Sequence, residues 1–144
     1  MREVLERIYA RAHGDTTDKN GSCLKTLLGG NIDRIYSGLN NQIPTAPAIT
    51  FCNISSIPSS LNSDVVMVEE EFIEFRVYAD NHPDIAARLR QLFDRHTFAE
   101  TTTAGVLKTV WQNDGPELFD EDLKVHRRDS LFKVYVAPKA LGPV

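Results

Sequence analysis

Residues 72–95 read FIEFRVYADNHPDIAARLRQLFDR, and this stretch carries the strongest fold signal in the chain. Its first eight residues alternate between apolar and mixed side chains, which is the period of a strand with one buried face. Its last twelve residues repeat apolar side chains at helical spacing. These are Ile85, Ala86, Leu89, Leu92 and Phe93. Pro83, with Asn81 or His82 as the cap, is placed to begin that helix. The stretch therefore predicts a strand followed by a helix.

The apolar patterns elsewhere predict further helices and strands around this unit. The helices are expected at Val4–Ala12 and Ser22–Leu28, and the strands at Ala48–Ser55, Val65–Ala79, Gly105–Gln112 and Asp129–Ala137. Ile32–Tyr36 is ambiguous between a short strand and a turn, whereas Ser37–Pro47, Ser56–Asp64 and 113–116 have the composition of loops and turns. Because helices and strands do not alternate regularly, we expect an α+β fold. It is a single domain over residues 1–138, a twisted, mostly antiparallel sheet with helices packed on one face, followed by a loose tail at 139–144.

Composition sets limits on the function. The chain has 144 residues, 42% of them hydrophobic and 25% charged, which is ordinary for one globular domain. Its net charge of −4 offers no concentrated positive face for gripping duplex DNA. Two cysteines, Cys23 and Cys52, suit small buried apolar residues in a reducing cytoplasm. The first twelve residues carry no signal-peptide pattern, and no apolar run is long enough to predict a membrane span.

The residues that usually carry chemistry form no recognised motif. The four histidines lack metal-ligand spacing, so capping or surface positions explain them better. The serines and glycines match neither a nucleophile elbow nor a phosphate loop. The acidic runs are typical of a solvated face, although a carboxylate pair with His96 or His126 leaves a small hydrolase open. We therefore expect no enzyme activity, no cofactor and no metal.

Three patches of sequence suggest a family. They are Ile43–Phe51, with the sequence IPTAPAITF, Glu74–Ala79, with the sequence EFRVYA, and Arg127–Val136, with the sequence RRDSLFKVYV. In this order, after an N-terminal helix, they resemble the tail terminator (tail completion) proteins of long-tailed bacteriophages. The resemblance extends over roughly Met1 to Pro138, and it rests on patches rather than on one sharp motif.

The resemblance implies a homohexameric ring at the head-proximal end of a virion tail, assembled in the host cytoplasm. Such a ring contacts the tail tube protein, halts tube polymerisation and meets the head-tail connector or stopper protein. Genomic DNA would pass its lumen without specific binding, for which an acidic balance is suited. No membrane is involved. A different head-tail joint, such as a stopper, or an adaptor that binds a protein partner, remains open on the same residues.

The sequence also nominates contact positions. The long predicted strand offers backbone groups at its edge for pairing with a neighbouring subunit. Its mixed face nominates intersubunit or lumen-facing residues, although an ordinary solvent-facing surface explains them equally well. These candidates are Glu69, Glu70, Glu71, Glu74 and Arg76. Partner contacts are expected in loops. These candidates are Ser59, Ser60, Asn62, Asp64, Asp120, Glu121 and Asp122.

Overall fold

Seven strands form one curled sheet in the segments that the computed structural model describes, which are residues 2–17, 22–37, 45–58, 69–100 and 105–137. The helices are α1 (Arg2–His13), α2 (Leu24–Leu27) and α3 (His82–Phe93), with a 3₁₀ turn at Ile32–Arg34. The strands are β1 (Ile35–Ser37), β2 (Ala48–Pro58), β3 (Glu69–Tyr78), β4 (His96–Phe98), β5 (Leu107–Asp114), β6 (Leu118–Asp120) and β7 (Val125–Val136). This is the α+β fold that the sequence predicts.

The sheet has the strand order β1-β2-β3-β7-β5-β4, and β6 pairs with β7 off this path. Only the short β1–β2 pair is parallel among the described strands, and every other pair is antiparallel. On one side of β7, residues 125–127 pair with β6 and residues 130–136 pair with β5. β3 and β7 are therefore the central strands, since each is paired along both sides.

The core lies between the helices and one face of the sheet. Four aromatic rings form its centre, and Phe75 on β3 touches the other three. Its ring centroid lies 5.6 Å from that of Phe51, 5.3 Å from that of Phe93 and 5.4 Å from that of Phe132. Around them pack the buried stripes of the helices, including Ile8 of α1. Burial of these large side chains drives the sheet and helices together.

The periodicity predictions for α1, α3 and the central strands are confirmed, with shifted ends. α3 begins at His82 after the N-cap Asn81, whose side-chain amide donates to the Leu27 carbonyl instead of capping the helix. The ambiguous stretch 32–36 resolves into both alternatives, a 3₁₀ turn followed by β1. Local periodicity was sufficient here because each of these segments buries one continuous apolar face.

Several boundary predictions were wrong. β2 extends to Pro58, through the start of the predicted loop, because its last residues pair with 69–71 of β3. β5 includes Asn113 and Asp114, which the sequence placed in a turn, because β7 continues to pair with them. β4 and β6, each of three residues, were not predicted. α2 has four residues, and its N-cap is Cys23 rather than Ser22.

The predicted free edge of the long strand was also wrong. All of β3, from Glu69 to Tyr78, is paired with β2 on one side and with β7 on the other. Its described backbone therefore has no edge to offer a neighbour. The predicted strand residues 65–68 and the predicted tail at 139–144 lie outside the described residues. No helix in the described part of the chain has the length and apolar character needed to cross a membrane.

Candidate assembly surfaces

Charged side chains in pairs cover the face of the sheet that points away from the helices, which we call the outer face. On β3, Arg76 Nε donates to Glu74 Oε1 at 2.8 Å. On β7, Arg127 makes two bonds to Asp129, at 2.9 and 2.8 Å. Lys133 reaches diagonally from β7 to β3, with Nζ 3.2 Å from Glu70 Oε2. Neighbours on one face of a sheet are close enough for such pairs.

The charges of these three pairs cancel. Three carboxylates balance three cations, and their side chains are only 20–31% exposed. The hydrogen bond that Arg76 donates to Glu74 raises the pKa of Arg76, and the hydrogen bonds that Arg127 donates to Asp129 raise the pKa of Arg127. The hydrogen bond with Glu70 likewise raises the pKa of Lys133. All three cations therefore stay charged and held by their partners at physiological pH.

Two sequence placements on this face were wrong. Glu71 is opposite Val134 and is 2% exposed, so it belongs to the core-facing side of β3 and not to the mixed face. Strand alternation makes this unavoidable, because Glu70 and Glu71 are consecutive. Cys52 was expected to be buried, but it lies half-buried on the outer face opposite Glu74, whereas Cys23 is buried. Glu69 is the first residue of β3.

The turn between β6 and β7 carries the second set of predicted contact residues. Asp120, Glu121 and Asp122, here called the acidic turn, lie at the tip of this hairpin. Asp120 Oδ1 accepts a hydrogen bond from the Leu123 amide at 2.9 Å and fixes the turn, while the other two carboxylates are exposed. The adjoining Phe119 is 54% exposed, a large apolar surface beside the acidic turn. The acidic turn and Phe119 therefore form one exposed surface at the tip of the hairpin.

Glu117 fastens the base of this hairpin to α3. Its Oε1 lies 3.0 Å from His82 Nε2 and 3.0 Å from His126 Nδ1. The hydrogen bond with His82, which outweighs desolvation, lowers the pKa of Glu117. His82 is 3% exposed at the start of α3, and the ring of His126 also packs edge-on against Phe119. The hairpin is therefore held at the N-terminal end of α3.

A groove of about 590 Å³ opens at the other end of α3, between α1 and β4. Arg7, Arg11 and His96 supply its polar wall, and Ala10, Leu92 and Phe98 supply apolar surface. We call it the cationic groove. Its arginines are held by backbone oxygens, since Arg7 donates to Gly105 and Ala99 at 2.8 and 2.6 Å and Arg11 donates to Leu92 at 2.7 Å. Sequence reasoning missed this groove because its two walls are far apart in the chain.

The remaining predicted positions Ser59, Ser60, Asn62 and Asp64 lie outside the described residues. Within the described ranges, no group of three or more His, Cys, Asp or Glu is placed to hold a metal ion. His96 lines the cationic groove and His126 contacts Glu117, so the two histidines of the hydrolase alternative lie at opposite ends of α3.

Comparison with known proteins gives a likeness in structure. No protein-family model matches the chain, and no curated protein matches it in sequence. Sixteen chains in solved structures do match it. One belongs to a structure described as the virion of a native gene transfer agent particle, with a TM-score of 0.62 and 12% identity. That match covers 90% of this chain and 91% of the other. The two chains therefore share a fold over nearly their whole lengths.

Proposed function

We propose that this chain is a structural virion protein, a tail terminator subunit that caps the tail tube, stops its polymerisation and joins the tail to the head. The fold shared with a chain of the gene transfer agent virion carries this proposal, because the match spans nine-tenths of both chains. A fold alone does not fix a function. The finer role therefore rests on the sequence resemblance to tail terminators.

The placement of the resembling patches supports that finer role. Ala48–Phe51 of the first patch opens β2, the second patch covers the end of β3, and the third patch covers most of β7. Patches that are scattered along the sequence thus lie on three neighbouring strands in the middle of the sheet. The resemblance therefore describes one continuous part of the molecule.

In this role the protein is a homohexameric, non-enzymatic ring at the head-proximal end of the tail, assembled in the host cytoplasm without a membrane. Its partners are the tail tube protein and the head-tail connector or stopper protein. Glu70, Glu74 and Arg76 are the intersubunit or lumen-facing positions, and Asp120, Glu121 and Asp122 contact a partner. Paired charges suit a lumen, because cations already bound to carboxylates release few counterions from passing DNA.

The decisive experiment compares particles assembled with and without this chain. We expect tails of uncontrolled length that fail to join heads when the chain is omitted, and normal tails when it is restored. Tail lengths and head attachment are measured by negative-stain electron microscopy. Joined tails of normal length without the chain would contradict the proposal. Labelled protein found at the head vertex before tail attachment would instead assign it to a head-side joint.

A further inference from the structure

The molecule has two surfaces of complementary chemistry that cannot meet within one copy. The acidic turn and Phe119 lie at the N-terminal end of α3, where Glu117 holds the hairpin to His82. The cationic groove lies at the other end, where Leu92 contributes to its wall. A helix of twelve residues separates the two ends by about 18 Å. Any contact between these surfaces must therefore join two molecules.

The groove carries an excess of positive charge. Neither Arg7 nor Arg11 forms an ion pair with a carboxylate in the described part of the chain, since backbone carbonyls satisfy their guanidinium groups. The one carboxylate of the groove, Asp15, is already bound at two points by Arg88. Burial and the positive charge of Arg11 lower the pKa of His96, which favours its neutral form, so Arg7 and Arg11 supply the positive charge. These two arginines favour an anionic occupant.

The hairpin has the matching composition. Glu121 and Asp122 are exposed carboxylates, and Phe119 is the most exposed large apolar side chain of the described residues. The groove offers cations for the carboxylates, and the partly exposed Phe98 ring, which lies beneath the Arg7 guanidinium, adds apolar surface beside them. With a volume of about 590 Å³, the groove is open to solvent along its length and is therefore accessible to a protruding turn.

We propose that the acidic turn and Phe119 of one copy dock in the cationic groove of a second copy. The two partners use different surfaces, so the contact is head-to-tail and leaves the groove of one copy and the hairpin of the other free. Repetition of such a contact closes a ring or extends as a filament. A closed ring is the assembly that the proposed function requires, so the assignment of this contact to a ring rests on the proposed function. The pairing of the two surfaces stands on their chemistry alone.

Two variants test the pairing without removing structural contacts. Glu121→Lys with Asp122→Lys reverses the exposed charges of the hairpin and retains Asp120, which fixes the turn. Ala10→Glu with Thr97→Glu adds negative charge at two exposed positions of the groove and retains both arginines. Asp80→Lys with Asp84→Lys is the control, since it makes the same change in net charge at exposed positions outside the turn. Circular dichroism and thermal melts establish that each variant is folded.

Sedimentation velocity of the full chain, up to millimolar concentration and over a range of salt, measures self-association. We expect the wild type to associate, and to do so more weakly in high salt, because the Debye length falls from about 30 Å at 0.01 M to about 3 Å at 1 M. Each double variant alone should weaken association at least about tenfold through like-charge contacts. An equimolar mixture of the two should restore one contact per pair of molecules, because the unchanged hairpin of the groove variant can dock in the unchanged groove of the hairpin variant. The control should associate like the wild type.

The other outcomes overturn the inference. A wild type that stays monomeric at every concentration, variants that associate normally, or a mixture that shows no restoration would each do so. An equal loss in the Asp80→Lys, Asp84→Lys control would show that net charge alone decides. Particle assembly separates the two proposals: if omission of the chain disturbs the tails but the hairpin variant does not, the proposed function stands and the pairing fails.

Discussion

Arg88 and Asp15 are 73 positions apart in the sequence, and they form a two-point ion pair that ties α3 to the segment after α1. Arg88 Nε donates to Oδ2 at 2.8 Å, and its terminal nitrogen donates to Oδ1 at 2.6 Å. Asp15 Oδ2 also accepts from the Leu24 amide at 2.8 Å, at the start of α2. With the Asp15 side chain only 7% exposed, one carboxylate joins all three helices.

Asp15→Asn should destabilise the protein by about 3 kcal/mol, because removal of one partner leaves the charge of Arg88 in a partly buried place. Urea denaturation at neutral pH measures the free energy of unfolding. Asp33→Asn is the matched control, since Asp33 is 79% exposed beside His13 and should change that free energy by less than about 0.5 kcal/mol. Equal effects of the two substitutions would show that the pair of Asp15 and Arg88 contributes no more to stability than an exposed ion pair.

The pair of Asp15 and Arg88 should also make the free energy of unfolding depend on pH in the acidic range. Burial raises the pKa of Asp15, but the hydrogen bonds from Arg88 and Leu24 outweigh burial, and the pKa lies below its ordinary value. A carboxylate with a lowered pKa contributes stability above its unfolded pKa of about 3.9 and loses it as the pH falls through the folded pKa. We therefore expect the gap in stability between wild type and Asp15→Asn to be constant from pH 7 to 5 and to shrink below pH 4. Urea titrations at each pH measure it, and a gap that widens in acid would contradict the assignment.

Phe75→Ala should cost about 3–5 kcal/mol, because Phe75 is 1% exposed and contacts three other aromatic rings. Phe119→Ala is the control, and its effect should stay within about 0.5 kcal/mol because the side chain is 54% exposed. Both values come from chemical denaturation. If the control also weakens self-association, it links Phe119 to assembly without a change in folding.

Arg95→Gly should stabilise the protein by about 0.5–1 kcal/mol. Arg95 follows the C-cap of α3 with φ of 57°, a left-handed conformation that costs an ordinary residue roughly 1–2 kcal/mol and that glycine adopts freely. Ala87→Gly, at an exposed position inside α3, should instead destabilise by about 1 kcal/mol. Thermal melts of the two variants should thus shift in opposite directions, and a loss of stability in Arg95→Gly would refute the backbone argument.

Elements that depend on interactions between residues close in the sequence could be predicted, whereas elements that depend on distant residues could not. The pattern of 72–95 is local, so β3 and α3 followed from it directly. β4 and β6 have three residues each and form only because longer strands lie beside them. The burial of Glu71 follows from its register with Val134, whereas a run of acidic residues by itself suggests a solvated face.

Of the two candidate surfaces, one is recognisable from local sequence and the other depends on distant segments. The exposure of Glu121 and Asp122 could be predicted from composition, since carboxylates in a loop need no tertiary partner to be recognised, whereas their contact with a partner stays a prediction. The cationic groove was not predicted, because Arg7 and His96 approach each other only after the sheet has brought β4 beside α1. The separation of Arg7 and His96 in the sequence does not indicate that they are close in space.

The central position of β7 has a mechanical consequence. β7 extends for twelve residues, roughly 35–40 Å, from the hairpin at one end of the molecule to the neighbourhood of the groove at the other. Its hydrogen bonds to β3 and β5 run across the strand, so a pull along β7 loads them together in shear. β6 has only three residue pairs with β7, so the tip of the hairpin depends on the contacts of Glu117 with His82 and His126 to share such a load.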